Sequence, residues 1–281
     1  MNTAQGRGYK VARLKGSLRN KLEGVAETLP LPIARIFLDN AIVSGGAISA
    51  MLMGDPVNDY DVYFRTEEAV RTIAEYYVDK YCGDSAEVVS SEFINIRGDT
   101  ENRLTIRVKS EGIVRPEMPM GEITEHDPIC FTDNAITLKG EVQLVIRFFG
   151  EPEQIHSTYD YAHCMGWYDQ KSKELHTPVE ALQAMMSKTL IYKGSLYPIA
   201  SVFRLRKFLK RGWQISAGQL LKIVWQISKL DMNNLDVLKD QLIGVDTLYM
   251  KGLLSRLEEV KTDKIDEAYV MELLDEVFNE T

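Results

Sequence analysis

At 281 residues, with 45% hydrophobic and 26% charged side chains, the chain has the composition of a soluble globular protein and room for one large or two modest domains. No apolar run reaches membrane-spanning length, and no apolar stretch of a secretory signal follows the basic N-terminus. The three widely spaced cysteines, Cys82, Cys130 and Cys164, suit neither a disulfide framework nor a zinc site, so a reducing cytoplasm and no membrane partner are expected. The net charge of −8 resides in the tail: residues 231–281 carry 13 acidic and 5 basic side chains, and the remainder holds 28 of each sign.

In chain order, Val11, Leu14, Leu18, Leu22, Val25 and Leu29 recur at spacings of three and four and predict an amphipathic helix over 10–29, ended by Pro30 and Pro32. Arg7, Lys10, Arg13, Lys15, Arg19 and Lys21 lie largely off its apolar stripe. Such a patch can steer a polyanion even in an acidic chain, and a solvated basic face accounts for it equally well. A short apolar stretch, Ile33–Leu38, leads to a strand or buried turn over Ala41–Ser44. Gly45-Gly46 then opens a short helix, Ala47–Met53, which Gly54-Asp55-Pro56 stops.

Asp59–Phe64 alternates acidic and apolar residues as a strand does, and Thr66 caps a helix running to Tyr81. Residues 86–150 read as β-rich, with strands at Glu87–Val89, Phe93–Ile96, Leu104–Val108, Ala135–Leu138 and Val142–Phe148, and a loop or insertion over Ile113–Asp127. A short helix at Pro152–Ser157 and a strand at Tyr159–Cys164 follow. From Pro178 the pattern turns helical: one helix to about Ile191, a second over Pro198–Arg211 stopped by Gly212, then others at 216–229, 233–242, 245–260 and 264–279. The expected organisation is an N-terminal helix (1–32), a mixed α+β head (33–175) and an all-α C-terminal domain (176–281).

The segment Ser44-Gly45-Gly46, a short helix, then Asn58-Asp59-Tyr60-Asp61-Val62-Tyr63 carries the chemistry. Residues two apart on a strand share a face, so Asp59 and Asp61 present their carboxylates side by side. Such a pair calls for a cation, and magnesium takes a few carboxylate oxygens with phosphate oxygens and water. Glycines at a helix start let backbone N–H groups approach a phosphate, and Ser44 adds a hydroxyl. Asp-x-Asp alone is a weak signal; following Gly-Gly at this distance it is far more specific.

This combination resembles the signature of the DNA polymerase beta-type nucleotidyltransferase superfamily, over roughly residues 41–64. The resemblance implies a nucleotidyltransferase-type mixed sheet flanked by helices, two Mg2+ ions (Mn2+ being the alternative), and a third carboxylate from a later strand that activates the acceptor. Asp160, in Tyr159-Asp160-Tyr161-Ala162-His163, is the candidate, with Asp127 and Asp133 as weaker rivals and a structural turn aspartate as the plain alternative. His163 reads as structural. The basic helix Arg204-Leu205-Arg206-Lys207-Phe208 to Arg211-Gly212-Trp213 loosely resembles the helix after the head in CCA-adding enzymes and poly(A) polymerases. The regions around Asp160 and 197–215 are also similar to uncharacterised nucleotidyltransferase-like proteins of large tailed phages.

The expected activity is transfer of a nucleoside monophosphate from an NTP such as ATP to an acceptor hydroxyl, with release of pyrophosphate. Asp59, Asp61 and Asp160 are the expected metal-binding and catalytic residues. Ser44, Gly45, Gly46, Lys188, Arg204 and Lys207 are the expected nucleotide contacts. The basic patches favour an RNA 3′ end as acceptor, in the host cytoplasm if the chain is phage-encoded. The alternatives are a protein or small-molecule acceptor, or a nucleotide- or RNA-binding module without catalysis. Tyr192, Tyr197 and Trp225 could stack bases, although aromatic residues at helical spacing usually fill a core.

Overall fold

Leu14, Leu18, Leu22 and Val25, the stripe predicted on the first helix, are buried on α1 (Val11–Glu27). The stretch read only as apolar, 33–38, is a second helix, α2 (Leu31–Asn40); Pro32 sits in its first turn, where a missing N–H costs nothing. These elements belong to a computed structural model that describes residues 11–95, 98, 100–108, 113–114, 126–232, 234, 237, 240 and 241. The chain divides into two compact units, Met1–Lys193 and Gly194–Thr281.

The first unit is built on a mixed sheet of eight strands among the described residues, in the order β10-β9-β1-β2-β8-β7-β6-β5. The strands are β1 (Ala41–Ser44), β2 (Tyr60–Phe64), β5 (Ile113–Val114), β6 (Pro128–Thr132), β7 (Ala135–Leu138), β8 (Val142–Phe149), β9 (Trp167–Asp169) and β10 (Glu174–His176). Only the β2–β8 pair is parallel; the others are antiparallel. β6, β9 and β10, and β5 at the start of the expected loop over Ile113–Asp127, are short and lack the clean alternation that marks a strand in sequence. β3 (Ala86–Ile94) and β4 (Thr100–Val108) form a separate antiparallel ribbon.

Between β1 and β2 lies α3 (Gly46–Met53), and after β2 comes α4 (Glu67–Tyr81), whose first-turn Ala69 amide donates to the Thr66 hydroxyl at 3.2 Å. One face of the sheet, with Val43, Val62, Phe64, Leu144 and Ile146, is buried in a core with α1, α2 and α4. The opposite face carries a smaller cluster: Ile42, Tyr63, Val145 and Ile155, with Tyr159 and Trp167 against it. That face is partly covered by α5 (Pro152–His156), which starts on Glu151 and Pro152 and whose Gln154 side chain accepts the Glu151 amide at 2.9 Å.

One expectation is corrected. Tyr159–Cys164 is not a strand. The chain bends at Asp160, makes one bridge between Tyr161 and Tyr192, and turns through a 3-10 helix at Ala162–Cys164. The main-chain partners of Asp160 and Ala162 are Lys193 (2.8 Å) and Ile191 (3.0 Å), so this segment bonds to the chain beyond the last helix of the head rather than to the sheet. The boundary between the two compact units falls after Lys193. The helix α6 (Val179–Ser187) buries Ala181, Ala184 and Met185 within the head, where it meets the 162–164 turn.

In the second unit, α7 (Pro198–Lys210) buries Ile199, Ala200 and Leu205 and ends in Gly212 at φ 80°, after which Trp213 is buried near Phe208. The next helix, α8 (Ala217–Ile227), is capped by Ser216, and Gln226 bonds both main-chain groups of Ser195, at 3.1 and 2.7 Å. The helices expected at 245–260 and 264–279 lie outside the described residues. No helix among the described residues is long and apolar enough to cross a membrane.

Candidate functional site

Strand register aligns a row of side chains across the sheet. Asp61 on β2 is opposite Ser44 on β1 and Gln143 on β8; Ser44 is opposite Trp167 on β9, which is opposite His176 on β10. Directly opposed residues share a face, so Trp167, Ser44, Asp61 and Gln143 line up on the face away from the main core. Both flanking neighbours of Asp61 in the row are uncharged. Asp59 is exposed and lies one residue before β2, two residues from Asp61.

The glycines act differently. Gly45 has φ 98° and ψ −156°, a conformation closed to L side chains. A Cβ there would lie 3.0 Å from Asp61 Oδ2 and 3.6 Å from the Tyr159 hydroxyl. The turn thus brings bare backbone onto the Asp61 carboxylate. Gly46, the first residue of α3, has no such conformational need, and a Cβ there would meet nothing within 4 Å. It keeps an open space at the helix start beside that carboxylate.

Ser44 is fully buried and its hydroxyl is engaged within the protein. It donates to the Gly166 carbonyl at 2.9 Å and lies 3.0 Å from His156 Nε2. A hydroxyl has one proton, so Nε2 donates to Ser44 and the imidazole is the Nε2–H tautomer. Burial pushes His156 down to about 4, against the opposing pull of Glu153, so the ring is neutral at pH 7. The Ser44 hydroxyl, expected to meet a phosphate, here forms a tie between β1, α5 and the turn at Gly166. The Tyr159 hydroxyl, buried beside Ser44, Tyr63 and Asp61, makes no hydrogen bond of ordinary geometry. Burial, then Tyr63 and Asp61, raises it well above the usual phenol range.

A family model described as "Gabija anti-defense 2 family protein" matches residues 15–188, most of the chain. The chain belongs to the Gabija anti-defense 2 family. A relative from Bacillus phage SPbetaL7, named "Gabija anti-defense 2", is 23% identical over 255 residues, covering 86% of this chain and 54% of its own length. The chain thus spans about half the length of that Gabija anti-defense 2 relative. Solved structures similar to it include a Thermotoga maritima CCA-adding enzyme complexed with tRNA (TM-score 0.41, 12% identity, 87% of this chain and 53% of that one). A tRNA-processing enzyme in an apo form has a TM-score of 0.43 and 12% identity, over 96% of this chain and 76% of that one.

The remaining expected residues of this member of the Gabija anti-defense 2 family fall on several elements of the two units. Asp160 is buried on its bend, and its charge acts on His163, which burial nevertheless lowers to about 4. Among the described residues no three His, Cys, Asp or Glu side chains come together as a metal-binding group. Of the two rivals, Asp133 is in the β6–β7 turn, and Asp127 lies 3.5 Å from the Tyr81 hydroxyl. Gln143, which the sequence reading passed over, occupies the position beside Asp61 on the neighbouring strand; only pairing register could have singled it out.

Lys188 is exposed, in the left-handed conformation that ends α6. Arg204 and Lys207 belong to α7, in the second unit, where Lys207 is exposed and Arg204 half-buried. Of the expected basic patch, Arg7 and Lys10 lie outside the described residues, and three of its side chains on α1 make contacts within the head. Lys15 pairs with Glu174 at 3.2 Å and Arg19 with Glu23 at 3.8 Å, while Lys21 donates to the Gly140 carbonyl and lies over Tyr60. Tyr192 and Tyr197 are buried, as core aromatics are, while Trp225 is 69% exposed.

The donors fit magnesium that arrives with a triphosphate: a half-buried carboxylate, an exposed one and an open glycine turn, with phosphate oxygens and water completing the octahedron. They do not form a cage sufficient by itself.

Proposed function

We propose that the head binds a magnesium–nucleoside triphosphate at Gly45, Gly46, Asp59 and Asp61 and transfers the nucleoside monophosphate to an acceptor hydroxyl. The acceptor oxygen attacks the α-phosphorus, its proton passes to water, and pyrophosphate leaves. One observation carries this reading: Gly45, in a glycine-only conformation, brings its backbone to within a Cβ contact, 3.0 Å, of the Asp61 carboxylate. The N–H groups at the start of α3 bind phosphate oxygens. Asp61 and Asp59 hold the cation, which when bound neutralises phosphate charge and orients the α-phosphate. The Ser44–His156 tie fixes the turn, so positioning supplies much of the rate. The family's anti-defense description supports a role for this chemistry in a phage's defeat of host defence.

A second reading, nucleotide capture without turnover, is favoured by Gln143: the strand position sharing the face of Asp61 holds an amide where a further carboxylate would assist. RNA as acceptor is supported by the basic residues of α7, of which Arg206 and Lys207 are exposed. The test incubates the protein with each α-labelled NTP, Mg2+, host RNA and host protein. Transfer predicts label in RNA or protein, lost in Asp61→Asn. Capture predicts a magnesium-dependent rise in Tm with NTP but no label. Neither response would overturn both readings.

A further inference from the structure

Beside the phosphate turn lies a second feature that this reading does not use. A cavity of about 480 Å3 is lined by His156, Tyr159, Met165, Trp167 and Pro178, with Glu153 and Lys193 also on its wall. It is wholly within the first unit. The His156 ring meets Trp167 edge-on at 5.3 Å and Tyr159 at 5.1 Å, and Trp167 stacks on His176 at 4.7 Å and 16°. Lys193 is held by Glu180 at 2.6 Å.

Its chemistry is selective. Three aromatic rings, a thioether and a proline make a wall for a flat, polarisable ring. With Nε2 donating to Ser44, His156 Nδ1 is an acceptor. Glu153 accepts and Lys193 donates, so a ring whose edge carries both donors and acceptors can be matched on each side. The volume falls within the range of small-molecule sites. Its position follows from register: Trp167 is in the row with Ser44 and Asp61, two strand spacings or roughly 10 Å from the carboxylate. A ring here and a phosphate at Gly46 are within reach of one nucleotide.

We infer that this cavity is a nucleobase site. It rests on the proposed nucleotide chemistry for its neighbour, and the base comes either from the incoming nucleotide or from the terminal nucleoside of the acceptor. The chain has three tryptophans, so Trp213→Phe/Trp225→Phe leaves Trp167 as the sole indole reporter. Its fluorescence is titrated with the four nucleosides, the four NTPs with Mg2+, and magnesium tripolyphosphate. Quenching by nucleosides or NTPs but not by tripolyphosphate is expected.

Trp167→Leu, followed by titration calorimetry because it removes the reporter, should weaken base binding about tenfold or more, the scale of losing one stacking partner. Glu153→Lys, on the exposed side of α5, should change the order of preference among bases without disturbing the fold. If Trp167→Leu weakens NTP but spares tripolyphosphate, the base is that of the incoming nucleotide. If it weakens nucleoside and spares NTP, the base is the acceptor's. Both outcomes support the inference. No quenching by any nucleoside or NTP, while tripolyphosphate still raises Tm, would overturn the base site and spare the phosphate site. Quenching by nucleosides with no response to tripolyphosphate or NTP would do the reverse.

Discussion

Gly45 and Gly46 are neighbours with opposite physical reasons for lacking a side chain, and substitution separates them. Gly45→Ala forces a Cβ into a positive-φ conformation and against Asp61, and should cost about 1–3 kcal/mol of stability, read as a lower denaturation midpoint. Gly46→Ala meets open space at a helix start and should leave Tm unchanged or raise it slightly, since alanine is the better helix former. It should nevertheless weaken magnesium–NTP binding by about tenfold, about 1.4 kcal/mol, measured by titration calorimetry. Equal NTP affinity in Gly46→Ala and the parent would show that no phosphate sits there. Gln143→Ala, by contrast, removes an uncharged neighbour of Asp61 and tests whether the amide contributes to nucleotide binding at all.

Among the elements, α5 does more than its five residues suggest. It carries His156, which fixes Ser44, while Glu151 at its start pairs with Arg65 at the end of β2. Arg65 also pairs with Asp169 on β9 at 2.8 Å. Burial disfavours the Asp169 carboxylate, but the Ser172 hydroxyl, the Lys171 amide and Arg65 together hold it below the usual range. Ser44→Ala should therefore act on stability first. It leaves a buried His156 N–H and the Gly166 carbonyl without a partner, at about 1–3 kcal/mol, seen as a lower urea midpoint.

Legibility follows from how local each element's cause is. Thr66 and the apolar face of α4, or Leu14 to Val25 on α1, are local signals and were readable. The glycine turn and Asp61 were readable because both lie within one short stretch. Asp160 was misplaced because a short apolar run cannot distinguish a strand from a bend that bonds to Ile191 and Lys193 some thirty residues on. Gln143, His156 and Trp167 reach the site only through pairing and packing across the chain, which periodicity does not encode. The basic stripe of α1 was visible, but its partners Glu174 and Gly140 were not.

For the molecule as a whole, pH offers a test. His156 and His163 are both lowered to about 4, each chiefly by burial, with an ordinary histidine near 6.5 in the unfolded chain. Below 6.5 the unfolded chain takes up protons that the folded chain refuses. Stability is therefore complete above about pH 6.5 and falls as pH drops toward 4, with up to two protons bound on unfolding. Tm measured from pH 7.5 to 4.5 should decline over that window, and the decline should be shallower in His163→Gln. A flat profile would mean that both rings protonate freely in the native state.

The row Trp167–Ser44–Asp61–Gln143 draws each member from a different strand, and its last pair, β2 with β8, is parallel and joins segments separated by the whole β3–β7 region. Closing so long a loop makes pairing slow, because its entropy is lost before the contacts compensate. During synthesis, Gly45 and Asp61 leave the ribosome long before the strands that flank them. The site is thus a late product of folding: in refolding from urea, nucleotide response should return with the slowest phase of sheet formation, not with the early helical signal.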